Sequence, residues 1–260
     1  MVPHAPSPTD PLLRAARAVA AAATRWHRAR CEGLETLPSG PALLVGNHGL
    51  YGLEVPVFFY LIHQATGRLP IGLADRVFFG RGPLCALLAR CGGIPGTVDN
   101  ARTLLRRGEW VVCYPGGSRE VFKRPEDHYR LCWQRSAGFA RLAIAEGAPI
   151  VPFAGLGVDD SYVNFGHLPG TRALFGRYAI PFAVGLGPLP LPVQFRFRLG
   201  APITPPSEMS AADRLRDEVA TRVMSLLADE QEAFDHERED AQPEEAFDGA
   251  AMASAAVAVH

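Results

Sequence analysis

A chain of 260 residues with 48% hydrophobic content can bury one large core but is short for two comfortable domains. Lys and Arg number 26 against 27 Asp and Glu, so a net charge of −1 gives no global attraction to nucleic acid or to an anionic surface. Five cysteines, odd in number and without a C-x-x-C pair, argue against a disulfide framework and a zinc site and fit a reduced, cytosol-facing protein.

Residues 1–10 are proline-rich, lack the charged start and apolar core of a signal peptide, and are expected to be disordered. No run reaches the roughly 18 apolar residues of a spanning helix, so any membrane contact is expected to be peripheral. Residues 11–30 have a helical pattern in which Arg14, Arg17, Arg25 and Arg28 fall near one face, with Leu13, Ala16, Ala20 and Trp26 elsewhere. A basic face beside an apolar one suits an interfacial helix on anionic lipid, or a surface helix packed on its own domain.

The core domain is expected over 31–228. Pro41 to Gly46 is a short, fully apolar strand running into Asn47 and His48, and Gly49 to Gln64 is an amphipathic helix with Pro56 near its start. The rhythm recurs. Trp110 to Tyr114 is a strand ending in Pro115-Gly116-Gly117, Gln134 to Glu146 is a helix, and Pro149 to Phe153 is another strand. Strands alternating with helices predict an α/β domain with a central, mostly parallel or mixed sheet flanked by helices. Pro181 to Pro192 is dense in glycine and proline, and Gln194 to Leu199 alternates as a half-exposed late strand would. Ser210 and Asp213 form a capping-box start for a last helix with Leu215, Val219, Val223, Leu226 and Leu227 on one face. From about Asp229 the chain turns acidic and then alanine-rich, and 229–260 is expected to be a disordered tail. No fixed-period repeat is present.

His48 stands at the end of a buried-type strand, where open α/β sheets form ligand crevices. A histidine there is often only a structural hydrogen bonder. Glu54, six residues on, changes the balance, because a turn can return its carboxylate to the imidazole. A carboxylate on one ring nitrogen fixes the tautomer and leaves the other nitrogen to take a proton from a hydroxyl. The stretch Tyr114-Pro-Gly116-Gly117-Ser118-Arg119-Glu120 forms a second constellation. Glycines after a strand, and a helix starting near Ser118, would offer backbone N–H groups to an oxyanion or phosphate, with Arg119 as the fixed charge. Equally, it can be a tight turn capped by Ser118 in which Arg119 and Glu120 pair structurally. The spacings exclude G-x-S-x-G, G-x-x-x-x-G-K, G-x-G-x-x-G and H-E-x-x-H chemistry.

In order, Val45-Gly-Asn47-His48-Gly-Leu-Tyr-Gly-Leu-Glu54, Gly92-Gly-Ile-Pro-Gly96, Tyr114 to Glu120 and Ala148-Pro-Ile-Val-Pro152 resemble the four blocks of the lysophospholipid acyltransferase superfamily. Within that superfamily the chain resembles the branch of phytyl ester synthases and diacylglycerol-acyltransferase-like proteins. The resemblance implies an α/β fold, acyl-CoA or acyl carrier protein as donor, a lipid hydroxyl as acceptor, no metal or bound cofactor, and a peripheral place on the inner, cytoplasmic face of a membrane. It makes His48 and Glu54 the catalytic pair, and Asn47, Tyr114, Gly116, Gly117, Ser118, Arg119 and Glu120 the expected substrate-binding residues. The sequence departs from the common blocks in three ways. Five residues rather than four separate His48 from its acid, Gly116 stands where a glutamate is usual, and the arginine nearest Gly96 is Arg102. The last departure favours a neutral acceptor alcohol over lysophosphatidate. The alternatives are a phosphorylated acceptor held by Arg102 and Arg119, and a lipid-binding protein of the same fold without turnover.

Overall fold

The computed structural model describes residues 11–75, 93–171, 179–187 and 189–241. The expected disorder of 1–10, and of the tail beyond 241, lies outside these residues. Helix α1 is Pro11–Trp26, followed by β1 (Arg30–Glu32), β2 (Ala42–Gly46), α2 (Glu54–Thr66), β3 (Ile71–Ala74), β4 (Gly93–Pro95) and α3 (Val98–Arg106). Then come β5 (Trp110–Cys113), the single turn α4 (Ser118–Val121), α5 (Gly138–Glu146), β6 (Ile150–Leu156), β7 (Val163–His167), β8 (Pro181–Val184), β9 (Arg196–Leu199) and α6 (Ala212–Ala241).

Seven strands form one sheet in the order β1-β9-β6-β2-β5-β3-β4, while β7 and β8 form a separate antiparallel pair. β2 runs parallel to both β5 and β6, and β9 runs antiparallel to β6, so the sheet is mixed at one end. This is the α/β architecture that the alternation predicts. Every residue of β2 is buried, as befits a central strand with a packed layer on each face. Leu43 and Val45 face a layer containing Leu104, Leu142 and Val219, while Ala42 and Leu44 face one containing Val57, Phe58 and Phe197. Helix α1 packs on α2 through its buried Leu13 and Ala20. No helix among the described residues is long and apolar enough to cross a membrane.

Several boundaries shift. The helix expected from Gly49 starts at Glu54, after a 3-10 turn at Leu50–Gly52. The expected capping box gives way to a 3-10 turn at Met209–Ala211, with Asp213 paired to Arg216 instead. The late strand expected to be half exposed is largely buried, and Arg196 is only 2% exposed.

That burial explains the largest correction. The stretch expected to be disordered from Asp229 continues α6 to Ala241, because Arg196 donates to Glu230 Oε2 at 2.9 Å and to both Glu237 oxygens at 3.1 Å. Arg198 also pairs with the 1% exposed Glu230. A buried guanidinium without its carboxylates would carry a large desolvation cost, so the acidic run is folded rather than solvated. Glu230→Gln, or truncation after Ala228, should therefore lower unfolding free energy by about 3–5 kcal/mol in urea titrations. An unchanged midpoint would contradict the pairing.

Candidate active site

Strand β2 carries Asn47 and His48 over the C-terminal edge of the parallel part of the sheet. Asn47, expected to bind substrate, is instead buried and tied to the neighbouring strand: its amide donates to Gly155 O at 3.0 Å and accepts from Gly155 N–H at 2.8 Å. This tie fixes the strand end from which His48 projects.

The turn at Leu50–Gly52 sets Tyr51 at φ 62° and Gly52 at φ 70°, bending the chain so that Glu54 points back to the imidazole. Glu54 Oε1 lies 2.5 Å from His48 Nδ1 and also accepts from Gly49 N–H at 3.1 Å. Gly52 lets the ring sit close, since a Cβ there would stand 2.9 Å from His48 Cε1. Tyr114 stacks on the other side, with centroids 4.0 Å apart. Burial pushes the Glu54 carboxyl up, but His48 and backbone N–H groups outweigh it, leaving the carboxyl below its ordinary value and ionised. Burial pushes the Tyr114 hydroxyl well above its ordinary value, with Glu54 adding to the effect, so the phenol stays neutral.

Glu120 holds the backbone of the same histidine. Its Oε2 accepts from His48 N–H at 3.0 Å and its Oε1 from Cys132 N–H at 2.8 Å. The side chain is fully buried, and burial raises its carboxyl to about 7, against the lowering effect of Lys123, His48 and the two N–H groups. The expected pairing of Arg119 with Glu120 does not form. Arg119 donates to the carbonyls of Pro115, Cys132 and Trp133 and to Ser136 Oγ, clamping residues 132–136 onto the turn. These bonds give Arg119 a structural part in holding the turn.

Gly116 explains why a glycine stands at this point of the third block. A Cβ on Gly116 would lie 2.2 Å from Glu120 Cδ and 2.5 Å from its Cγ, so the Glu120 side chain fills the space a residue at 116 would use. Glu120, four residues on, places its carboxylate in that space. Gly116→Glu combined with Glu120→Ala should therefore return a carboxylate near His48 N–H and regain more thermal stability and activity than either single variant. A double variant no better than the worse single one would refute this equivalence.

The sign of the pH effect follows from the direction of the Glu120 shift. Its folded-state value of about 7 lies above the ordinary 4.5, so the folded protein binds the extra proton and Glu120 adds stability that is full below 4.5 and lost as pH rises through 7. The wild type should lose up to about 3 kcal/mol across that window relative to Glu120→Gln, measured by urea titrations at several pH values.

His48 opens onto a cavity of about 1280 Å³. Val55, Phe59 and Tyr60 of α2 form one wall, Leu12 and Val19 of α1 another, and Phe139 and Leu142 of α5 a third. Tyr114, Gly117 and Ser118 line the end beside the imidazole, whereas Asn47, Gly116, Arg119 and Glu120 stand behind the lining. Gly117 N–H, expected to face an oxyanion, already donates to Tyr114 O at 3.0 Å. Ser118 N–H, at the first position of α4, is one of the donors that a helix start leaves without an intrahelical acceptor. Sequence reasoning missed Gly52 and the support role of Glu120. The glycine's left-handed conformation carried no local motif, and Glu120 lies 72 residues from its partner.

A base–carboxylate pair at the C-terminal edge of a parallel sheet, opening onto a large apolar space, defines an α/β domain equipped to activate a hydroxyl beside an aliphatic ligand. Residues 28–155 match the family model described as Acyltransferase. This segment belongs to the acyltransferase superfamily. It is 29% identical over 203 residues to the human "DGAT1/2-independent enzyme synthesizing storage lipids", covering 78% of this chain and 61% of that protein. It is 37% identical over 136 residues to phytyl ester synthase 2, chloroplastic, of Arabidopsis thaliana, covering 49% of this chain and 19% of the relative. The fold is similar to the crystal structure of the 1-acyl-sn-glycerophosphate (LPA) acyltransferase PlsC of Thermotoga maritima, with TM-score 0.53, 16% identity, and coverage of 82% of this chain and 79% of that one. The chain spans about 60% of the length of the mammalian storage-lipid relatives.

Proposed function

We propose that the protein is an O-acyltransferase that moves a fatty acyl group from a thioester, acyl-CoA or acyl-carrier protein, to the hydroxyl of a neutral lipid alcohol. The observation that carries this reading is the 2.5 Å contact of Glu54 with His48 Nδ1 at the end of the apolar cavity. With Nδ1 held, Nε2 takes the proton of the acceptor hydroxyl as its oxygen attacks the thioester carbonyl. The tetrahedral intermediate collapses to the ester, and the leaving thiolate recovers the proton from the imidazolium. Ser118 N–H is the backbone donor best placed to meet the oxyanion.

A phosphorylated acceptor draws less support. Arg102 is engaged by Glu146 at 2.8 Å and by Asp99 at 3.3 Å, Arg119 is engaged by the 132–136 segment, and neither lines the cavity. The named activities of the human and Arabidopsis relatives, storage-lipid synthesis and phytyl ester synthesis, fit a neutral acceptor. A binding protein without turnover is disfavoured by the intact base and orienting carboxylate.

His48→Ala should reduce acyl transfer from labelled acyl-CoA by about 10²- to 10⁴-fold, and Glu54→Gln should fall between that variant and the wild type. With a panel of phosphorylated and neutral lipid alcohols resolved by mass, esters of the neutral alcohols should dominate. Full activity in His48→Ala would overturn the mechanism, and products confined to phosphorylated acceptors would overturn the acceptor.

A further inference from the structure

The hairpin of β7 and β8 is built inside out. Along β7 the exposed residues are Val163 and Phe165, and along β8 they are Phe182 and Val184. Val163 faces Val184 across the pair, and the rings of Phe165 and Phe182 are 5.8 Å apart. Phe165 is 65% exposed and Phe182 49%. The polar residues point inward. Asn164 donates to Lys123 O at 2.9 Å, His167 Nε2 donates to Phe122 O at 2.8 Å, and Tyr51 Oη donates to Pro181 O at 2.9 Å. A solvated hairpin shows the reverse pattern, and a contiguous exposed apolar face marks an interaction surface.

This face does not stand alone. Leu186 and Leu189 beyond the hairpin are more than half exposed. Just past them, Trp26 Nε1 at the end of α1 donates to Pro190 O at 3.1 Å and Arg28 donates to Pro192 O at 3.2 Å. Leu12, Val19 and Trp26, seven residues apart, form an exposed apolar stripe along α1, about 100° around the helix from the buried Leu13 and Ala20. Leu12 and Val19 also line the cavity that reaches His48. The apolar surface therefore continues into the site.

Charge decides the occupant. Residues 11–31 contain no Asp or Glu and expose Arg14, Arg25 and Arg28 along and just past α1. Residues 161–207 contain no Asp or Glu either, and the described arginines of that second stretch, Arg196 and Arg198, are already bound to Glu230, Glu237 and Glu32. Two copies meeting through this surface would bring the exposed arginines of α1 and its end against one another. An anionic lipid surface would neutralise them while taking up the aromatic and aliphatic side chains.

We propose that the β7–β8 hairpin, with the exposed stripe of α1 beside it, is a wedge that seats the protein in the headgroup region of an anionic bilayer and turns the mouth of the cavity toward the lipid. This rests on the reading of the cavity as a site for lipid substrates. The test is cosedimentation with vesicles of phosphatidylcholine alone and of phosphatidylcholine with phosphatidylglycerol, without any thioester. The wild type should bind the phosphatidylglycerol vesicles, Phe165→Ser/Phe182→Ser should bind them at least about ten-fold more weakly, and Met224→Ser, altering an exposed apolar residue of α6, should bind as the wild type.

Should the double variant fail to fold, Phe165→Trp in a Trp26→Phe background supplies an independent reading, because its fluorescence should be quenched by acyl-brominated lipid beyond that of Trp26→Phe alone. Wild-type protein remaining in the supernatant, unweakened binding by a folded double variant, an unquenched Trp at 165, or a dimer lost on mutation in place of vesicle binding would each overturn the proposal. Turnover of a soluble short-chain thioester and alcohol separates the two readings. The double variant should keep that turnover, whereas its absence in the wild type alongside intact vesicle binding would remove the acyl-transfer reading and leave the surface standing.

Discussion

Two buried carboxylates hold one histidine, and they hold different parts of it. Glu54 grips the imidazole through Nδ1, and Glu120 grips the backbone N–H of the same residue while also accepting from Cys132 N–H. The end of β2, the turn after β5 and the 132–136 segment converge on this point, so the orientation of the base is set by three separated parts of the chain. The electrostatic environments of the two acids diverge for a physical reason. Glu54 is compensated by the imidazole and lies below its ordinary value, whereas around Glu120 burial outweighs Lys123, His48 and two backbone donors.

Around that point the fold divides its polar residues between chemistry and support. Asn47 and Arg119 look like site residues by position, yet Asn47 spends its hydrogen bonds on the backbone of Gly155, Arg119 spends its own on three carbonyls and Ser136 Oγ, and neither lines the cavity. The cavity itself is walled by aliphatic and aromatic side chains from α1, α2 and α5. An apolar chamber with a base at one end suits an aliphatic substrate with a single reactive hydroxyl or carbonyl near that end. Its continuity with the exposed stripe of α1 relates the chemistry to the way a lipid would reach it.

Much of this was legible along the chain. The apolar run before Asn47 and His48, and the six-residue step to Glu54, are local features, because a strand, a turn and the first residue of a helix place the pair whatever the rest of the protein does. The alternation of strands and helices likewise predicted the sheet. The acidic run after Asp229 was opaque for the opposite reason: composition alone resembles a solvated tail, and only the burial of Arg196 under α6 makes it structural. The hairpin was hidden because Asn164 and His167 resemble solvent-facing residues until the carbonyls of Lys123 and Phe122 are found beneath them.

The sequence by itself thus determined the α/β class and the pairing of His48 with Glu54, since these follow from short-range patterning and from steps of a few residues. Tertiary structure decided which of the remaining polar residues face the cavity, why Gly116 has no side chain, and which apolar surface is left uncovered. Most of these outcomes depend on contacts across tens of residues, such as 72 for His48 and Glu120 and 108 for Asn47 and Gly155, where no local preference can favour one partner over another. The glycine turn that by sequence suits either a bound anion or a tight structural turn leaves the space into which the Glu120 carboxylate fits behind His48.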